Sequence, residues 1–481
     1  MGFKYRELAD SYIADIRCGE LAHGQRLPSI RALSKKHGVS ITTAIKTFEL
    51  LEAEGHLVAQ AQAGFFVRQR ASGLDEPFMP SFSPRAKAVG HARLIHEIQQ
   101  SARDAQRVPL GTVMLSPALL PVEALQRSLI RASKHTPLAL GNYGPSNGEP
   151  ALLDALCSHF GDDGIHLKQN DLQITNGCMS AVSLAIHAVT APGDVIALPS
   201  PCFSGQLQLI ASLGRKVIEM PSSTRGFDID RLERILSTGQ AQACLITANF
   251  QNPLGYCLSP DEKRRIAALA TAYRFPVIED DVFGECGHDR QRPLPIKCWD
   301  NSGDVIWCGS FSKTLAPGYR IGWCAPGRYA EELSTLHLTE VLAVNSPLQL
   351  ALADFIRCGE YRRHLKRLHT ALAAQVDQLR AAVVRHFPGG CRITDPQGGY
   401  ALWVQLPEGC DGLELYERAR ESDINIVPGV IFSARDLYRN YVRLNAGNPW
   451  RPELQMAIEK LAILAAQLRP ESRLDELPAT Q

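Results

Sequence analysis

Ser310-Phe311-Ser312-Lys313-Thr314-Leu315-Ala316-Pro317-Gly318-Tyr319-Arg320-Ile321-Gly322 is the stretch on which the reading of this chain turns. A lysine stands among small and hydroxyl side chains, just past the apolar run Val305–Cys308, and Arg320 follows seven positions later. Burial disfavours the charge of such a lysine. A Schiff base with a carbonyl compound removes that charge and makes a covalent site. A lone lysine on a surface turn would need no such account, so the surrounding segments decide.

Upstream, Asp280 ends the apolar run Pro276-Val277-Ile278-Glu279. A carboxylate there can pair with a pyridinium nitrogen, although an acidic strand cap explains that residue equally well by itself. Asn252-Pro253-Leu254-Gly255 is a turn signal whose Asn could donate to a phenolate oxygen. Thr175-Asn176-Gly177-Cys178-Met179-Ser180 joins a strand to a helix, where free amides form an anion site. Phe203, in Pro199-Ser200-Pro201-Cys202-Phe203-Ser204-Gly205, could stack on a planar ring, but a lone Phe is more often core.

From about residue 108 strands and helices alternate. Helix 151–160 precedes strand 173–175 and helix 180–190; strand 195–198 precedes helix 205–212. Strands 243–247, 276–279 and 305–308 follow, with helix 260–273 after the first. That alternation predicts an α/β domain with a mostly parallel sheet. A long helix over 360–386 and strands near 400–405 and 441–444 predict a smaller α+β domain after about 345.

Taken together, residues 108 to 465 resemble the fold-type I pyridoxal-phosphate enzymes of the aspartate aminotransferase kind. The resemblance implies pyridoxal 5'-phosphate bound to Lys313, with Asp280 on the pyridine nitrogen, Asn252 on the ring oxygen and Phe203 stacked on the ring. Ser310, Ser312, Arg320 and the amides of Cys178 and Met179 would hold the phosphate. Arg443, in Asn440-Tyr441-Val442-Arg443-Leu444-Asn445, would clamp an effector or substrate carboxylate, where a bidentate guanidinium suits. Tyr143, in Tyr143-Gly144-Pro145-Ser146-Asn147-Gly148, would reach the phosphate in a neighbouring subunit, implying a homodimer. The family usually carries a Tyr two or three residues after the pyridine Asp; here Val282 and Phe283 stand there, and neither can donate. That departure argues against efficient transamination more than against cofactor binding.

The first 70 residues form a different unit. Tyr5, Leu8, Tyr12, Ile13 and Ile16 recur at helical spacing. A turn over 19–24 leads to a second helix with Ser29 as N-cap, Gly38 breaks it, and Ser40 caps a third over 41–54. Gly55 ends that helix, and runs 56–59 and 65–68 read as a hairpin around Ala63-Gly64. Ten basic side chains face seven acidic ones, and none of the acids lies between Arg26 and Lys46. Such a face can sit on phosphates, while the third helix offers Ser40, Thr42, Thr43 and Lys46 to a major groove. Taken alone, the same residues also fit a solvated basic surface.

Gly24-Gln25-Arg26-Leu27-Pro28-Ser29-Ile30-Arg31-Ala32-Leu33, with Gly38-Val39-Ser40 and Leu51-Glu52-Ala53-Glu54-Gly55, resembles the winged helix-turn-helix of GntR-type transcription factors. It implies DNA contacts by Arg26, Arg31 and Thr43, which join Ser29, Ser40, Thr42 and Lys46 as the candidate DNA-binding residues. The wing, Ala59-Gln60-Ala61-Gln62-Ala63-Gly64-Phe65, lacks the basic residue usual there, which weakens the expectation of a minor-groove contact. Ser72, Gly73, Pro77, Pro80, Ser81, Ser83, Pro84 and Gly90 mark a linker.

The chain is thus expected to be multidomain: a winged helix-turn-helix over 1–70, a linker over 71–98, and an aminotransferase-like domain over 99–470, its large part 108–345 and its small part 346–470. This order is similar to the MocR subfamily of bacterial regulators. It implies a regulator that binds a double-stranded DNA operator and senses pyridoxal phosphate or an amino compound. Two rivals remain: an active aminotransferase carrying a DNA-binding module, and a DNA binder whose large domain is a dimerisation platform without cofactor.

Composition bounds the rest. The 481 residues are 45% hydrophobic and 21% charged, with net charge +1, which excludes a wholly basic nucleic-acid coat. Thirteen cysteines without a CxxC pair or signal segment predict reduced thiols and a cytoplasmic protein, nucleoid-associated when on DNA, with no metal site. Apolar runs are too short for a membrane span.

Overall fold

In the computed structural model the described residues are 4–468, except 19–20, 22–24, 54–55, 61–63, 68–73, 84, 91, 102–103, 105–106 and 290. Most of the expected turn 19–24, the Glu54-Gly55 helix end, the wing tip 61–63, Arg68, Arg70, Ser72, Gly73 and Pro84 lie outside them. The chain divides into two compact units, residues 1–73 with 377–385, and residues 74–376 with 386–481.

In the first unit, helices α1 (Lys4–Cys18), α2 (Ile30–His37) and α3 (Ile41–Ala53) precede a hairpin of β1 (Leu57–Gln60) and β2 (Gly64–Val67). Both expected caps form: Ser29 Oγ accepts from the Ala32 amide at 3.2 Å, and Ser40 Oγ from the Thr43 amide at 3.1 Å. Gly38 ends α2 in the left-handed region at φ 60°. Ala9, Tyr12, Leu33, Ala44, Phe48, Leu51, Leu57 and Val67 form one apolar core.

In the second unit, β3 (Val108–Pro109) leads into β4 (Gln173–Thr175), β5 (Val195–Ser200), β6 (Lys216–Ser223), β7 (Gly226–Phe227), β8 (Ala243–Ile246), β9 (Val277–Asp280), β10 (Val305–Ser310) and β11 (Gly322–Ala325). Strands β4 to β11 form one eight-stranded sheet in the order β4-β11-β10-β9-β8-β5-β6-β7. Strands β6, β5, β8, β9 and β10 run parallel, and β11 lies antiparallel between β10 and β4. Helices 150–161 and 178–189 bury Leu152, Leu156, Phe160, Val182 and Ile186 against strand residues such as Trp307, Trp323, Ile278 and Ile306. This burial on both faces is what near-continuous apolar strands require.

Of the strands of this sheet, the sequence reading missed β6, β7 and β11. Glu219 and the terminal polar residues break the apolar run of β6, and β11 begins at Gly322, where the lysine string ends, with only three residues beyond it. Helix 178–189 begins two residues before its expected start, so Cys178 and Met179 occupy its first turn.

Strands β12 (Arg392–Ile393), β13 (Ala401–Gln405), β15 (Val427–Pro428) and β16 (Tyr441–Asn445) form the antiparallel sheet β12-β13-β16-β15; β14 (Ile424–Asn425) pairs with β3. The helix 360–386 spans its expected range.

The stretch read as a linker is structured in part. A helix covers Ala92–Ser101, beginning before the expected boundary at 99. Phe78 N donates to Gln405 Oε1 at 2.8 Å, Tyr441 Oη to Phe78 O at 2.7 Å, and Ile393 N to Asp75 O at 3.0 Å. The Arg392 guanidinium lies 3.7 Å from the Phe78 ring centroid, and Lys87 bridges to Val217 on β6. Proline and serine set the extended backbone here, but side chains distant in sequence fix its course.

Candidate functional site

Parallel strands place their carboxyl ends along one edge of a sheet, where α/β proteins build sites. Strand β9 ends there at Asp280, β10 at Ser310 three residues before Lys313, and β4 at Thr175 just before Gly177. The register pairs Asp280 with Cys308, which brings strand ends 30 residues apart in sequence together.

Lys313 is half-buried as a residue, but its amine lies deep and donates to Val113 O at 2.7 Å. Burial, then the nearby Arg443 charge, pulls its pKa down to about 8. Asp280 is 4% exposed. Its carboxylate accepts from Gln206 Nε2 at 2.7 Å, Cys178 Sγ at 3.1 Å and the Val282 amide at 3.2 Å. Burial raises its pKa, and the thiol and amide donors oppose that rise. The turn after Asp280 is held by the buried pair Arg292–Asp281 at 2.6 Å and by Trp307 Nε1, which donates to Asp281 at 2.9 Å.

Arg443 Nη1 donates to Asn252 Oδ1 at 3.3 Å and Nη2 to Gly111 O at 2.8 Å. Its Nε is buried and finds no partner among the described residues. Burial lowers its pKa, yet a guanidinium stays charged at neutral pH. Arg320 Nη1 donates to Ser312 Oγ at 3.2 Å and Nη2 to the Asn176 carbonyl at 3.4 Å. Ser310 Oγ accepts from the Ser312 amide at 3.0 Å. Gly177 has φ 84°, and a Cβ there would stand 2.6 Å from Arg320 Nη2. The cradle of Gly177, Ser312 and Arg320 therefore needs glycine. Cys178 and Met179 follow as the first two residues of helix 178–189, so their amides have no intrahelical acceptor.

These observations fit pyridoxal 5'-phosphate. They include a depressed buried amine, a held carboxylate, an anion cradle with free amides and a buried guanidinium whose Nε has no partner among the described residues.

Phe283 is buried, with its ring centroid 5.7 Å from Lys313 Nζ and edge-on to Tyr400. Val282 instead packs against the sheet core. Phe203 is half-buried, and a Cβ on Gly205 would meet its ring at 2.4 Å. Tyr143 is 87% exposed.

Three participants were missed from sequence. Gln206 lies one helical turn beyond Phe203 on helix 204–212, a spacing that could have pointed to it. The Cys178 side chain was passed over for its amide. Val113 contributes only a backbone carbonyl, which no side-chain pattern signals.

On the first unit, Arg26, Ser29, Arg31, Ser40, Thr42 and Lys46 are exposed. Thr43 is half-buried, and its hydroxyl shares a 2.8 Å hydrogen bond with Ser40. Thus Ser29, Ser40 and Thr43 already serve the local helix ends. Arg26 bridges to Phe66 on β2. Among the described residues no disulfide forms, and no helix is long and apolar enough to cross a membrane.

The fold and the pairing of a winged helix-turn-helix with an aminotransferase-type domain define a class of regulator fused to an enzyme-like module. The family of class I and II aminotransferases matches residues 118–461, and the gntR family of bacterial regulatory proteins matches residues 4–67. The chain belongs to the MocR-type transcriptional regulators. It is 35% identical over 466 residues to the uncharacterized HTH-type transcriptional regulator YdcR of Escherichia coli (strain K12), covering 96% of this chain and 98% of the relative. It is 29% identical over 385 residues to aromatic-amino-acid aminotransferase 1 of Thermococcus litoralis, covering 78% of this chain and 92% of that enzyme. The crystal structure of the Pyrococcus horikoshii kynurenine aminotransferase is similar with a TM-score of 0.72 and 28% identity, over 78% of this chain and 94% of that one.

Proposed function

We propose that this protein is a bacterial transcription factor that binds an operator through residues 1–70. In this reading it carries pyridoxal 5'-phosphate as a Schiff base on Lys313, and it responds to the cofactor or to an amino compound. The observation that carries the reading is the Lys313 amine, depressed to about pH 8 opposite Asp280, in a chain whose exposed basic face runs from Arg26 to Lys46. When bound, the cofactor supplies an electrophilic carbon and an electron sink.

The chain's own residues do the rest. Lys313 gives up its proton at lower pH than an ordinary lysine, because burial and Arg443 disfavour its charge. Asp280, fixed by Gln206 and Cys178, is placed to hold a proton on a pyridine nitrogen. Arg320, Ser312 and the first amides of helix 178–189 bind a phosphate. Arg443, whose buried Nε has no partner among the described residues, would hold an effector carboxylate, which selects effectors carrying one. An effector shifts DNA binding only if the two states of the protein bind it differently. Tyr143, exposed in one protomer, is available to a partner's site in a cytoplasmic homodimer.

An active aminotransferase is the second reading, favoured by the completeness of the Lys313, Asp280 and Arg443 set. Phe283 beside the lysine argues against it, since a phenol is absent where it would assist proton transfers.

The test is borohydride reduction of the full chain with pyridoxal phosphate, followed by peptide mass spectrometry. The label is expected on Lys313 and lost in Lys313→Ala. A label on another lysine would overturn the assignment. Steady turnover with an oxo-acid acceptor would favour the second reading.

A further inference from the structure

The buried face of α3 consists of Ala44, Thr47, Phe48 and Leu51, all fully enclosed. Ile41 and Ile45, one turn apart, stand outside it at 53% and 37% exposure. They are the exposed large hydrophobics of the first unit, among its described residues. Two β-branched side chains there lower helix propensity without adding to the core, so packing does not account for them.

Their surroundings specify the occupant. Thr42 and Lys46, each adjacent to one isoleucine, are exposed, as are Arg31, Lys35 and Lys36 on α2. No acidic residue interrupts residues 26 to 46; Glu49 is the first on the outward side. A second copy of this surface would bring like charges together, which costs free energy. A duplex supplies phosphates to the cations and, on the major-groove floor, an apolar group: the C5-methyl of thymine.

We infer that Ile41 and Ile45 are specificity-determining residues that read thymine methyl groups in the major groove. This rests on the proposed DNA-binding role of α3. It makes the base code of this helix apolar at two positions, with Thr42 and Lys46 supplying polar contacts beside them.

The full chain is first used to select duplexes from a random pool. The selected duplex is then remade with deoxyuridine replacing thymine at each position singly, which deletes one methyl. Binding is measured for wild type, Ile41→Ala and Ile45→Ala. Alanine favours helix and both sites are exposed, so circular dichroism should show an unchanged fold. Wild type is expected to lose about fourfold in affinity at one or two thymines, the worth of one buried methyl. The matching alanine variant should bind the thymine and deoxyuridine duplexes equally. Wild-type indifference to every substitution, or an undiminished thymine preference in both variants, overturns the inference. Altered self-association of the variants with the thymine preference intact would assign the isoleucines to a contact between copies and also overturn it. If no duplex shows salt-sensitive binding, the DNA-binding reading itself fails, a result distinct from the others.

Discussion

Lys313 is the residue at which the physics is most exposed to test. Its pKa of about 8 means that half its amines are unprotonated at a pH where an ordinary lysine is almost wholly charged. The rate of pyridoxal phosphate attachment, followed by absorbance, should rise with pH through a midpoint near 8. Arg443→Met removes a neighbouring positive charge, which stabilises the lysine's charged form. The midpoint should therefore move upward, and an unmoved midpoint would show that Arg443 does not influence the amine. Phe283 offers a second test at this scale. A phenol in its place could donate to a ring oxygen of the cofactor and favour the anionic form. In Phe283→Tyr the visible band of the loaded protein should titrate at lower pH. No shift would mean that this side chain faces only the lysine.

Among the elements, the start of helix 178–189 matters most. Gly177→Ala forces a Cβ to 2.6 Å from Arg320 Nη2 and places a non-glycine residue at φ 84°. Backbone strain of about 1–3 kcal/mol plus a displaced guanidinium should lower pyridoxal phosphate affinity tenfold or more. Fluorescence titration would measure it, with a thermal melt confirming that the domain remains folded. The segment before helix 92–101 makes a milder prediction. Tyr441→Phe with Gln405→Ala removes two of the bonds that pin Phe78. Amide exchange over residues 74–83 should quicken while the melting temperature of the domain hardly changes.

Legibility in sequence followed the same division. Apolar runs and caps announced β5, β8, β9 and β10, and α2, α3 and helix 360–386, because period and punctuation are local. Arg443, inside β16, was singled out by the resemblance alone, whereas Lys313 and Asp280 were readable as candidates because each ends or follows a strand whose position the topology dictates. Gln206 and Val113 were not, since their roles depend on contacts formed only after folding. Strand β11, which begins at the last residue of the lysine string, was missed for a similar reason. Its four residues pair antiparallel with β10 and β4, and no local period reveals that.

At the scale of the whole molecule, two modules share one chain, and each carries its own electrostatics. DNA affinity should fall steeply with salt, because basic side chains on α2 and α3 displace counterions. Arg31→Ala should reduce the log-log salt slope by about 1 and weaken binding to all duplexes alike. Thr43→Ala should instead alter preference among sequences, because its hydroxyl is tied to the Ser40 cap at the start of α3. The central claim is that a cofactor on Lys313 and an operator on the first unit belong to one regulatory equilibrium. The measurement that tests it most directly is operator affinity of the full chain with and without pyridoxal phosphate and an amino acid, in parallel with Lys313→Ala. The account requires that cofactor or amine shift the wild-type affinity and leave the Lys313→Ala affinity unmoved. Identical operator affinity in wild type under every condition, or the same shift in the variant, would contradict it.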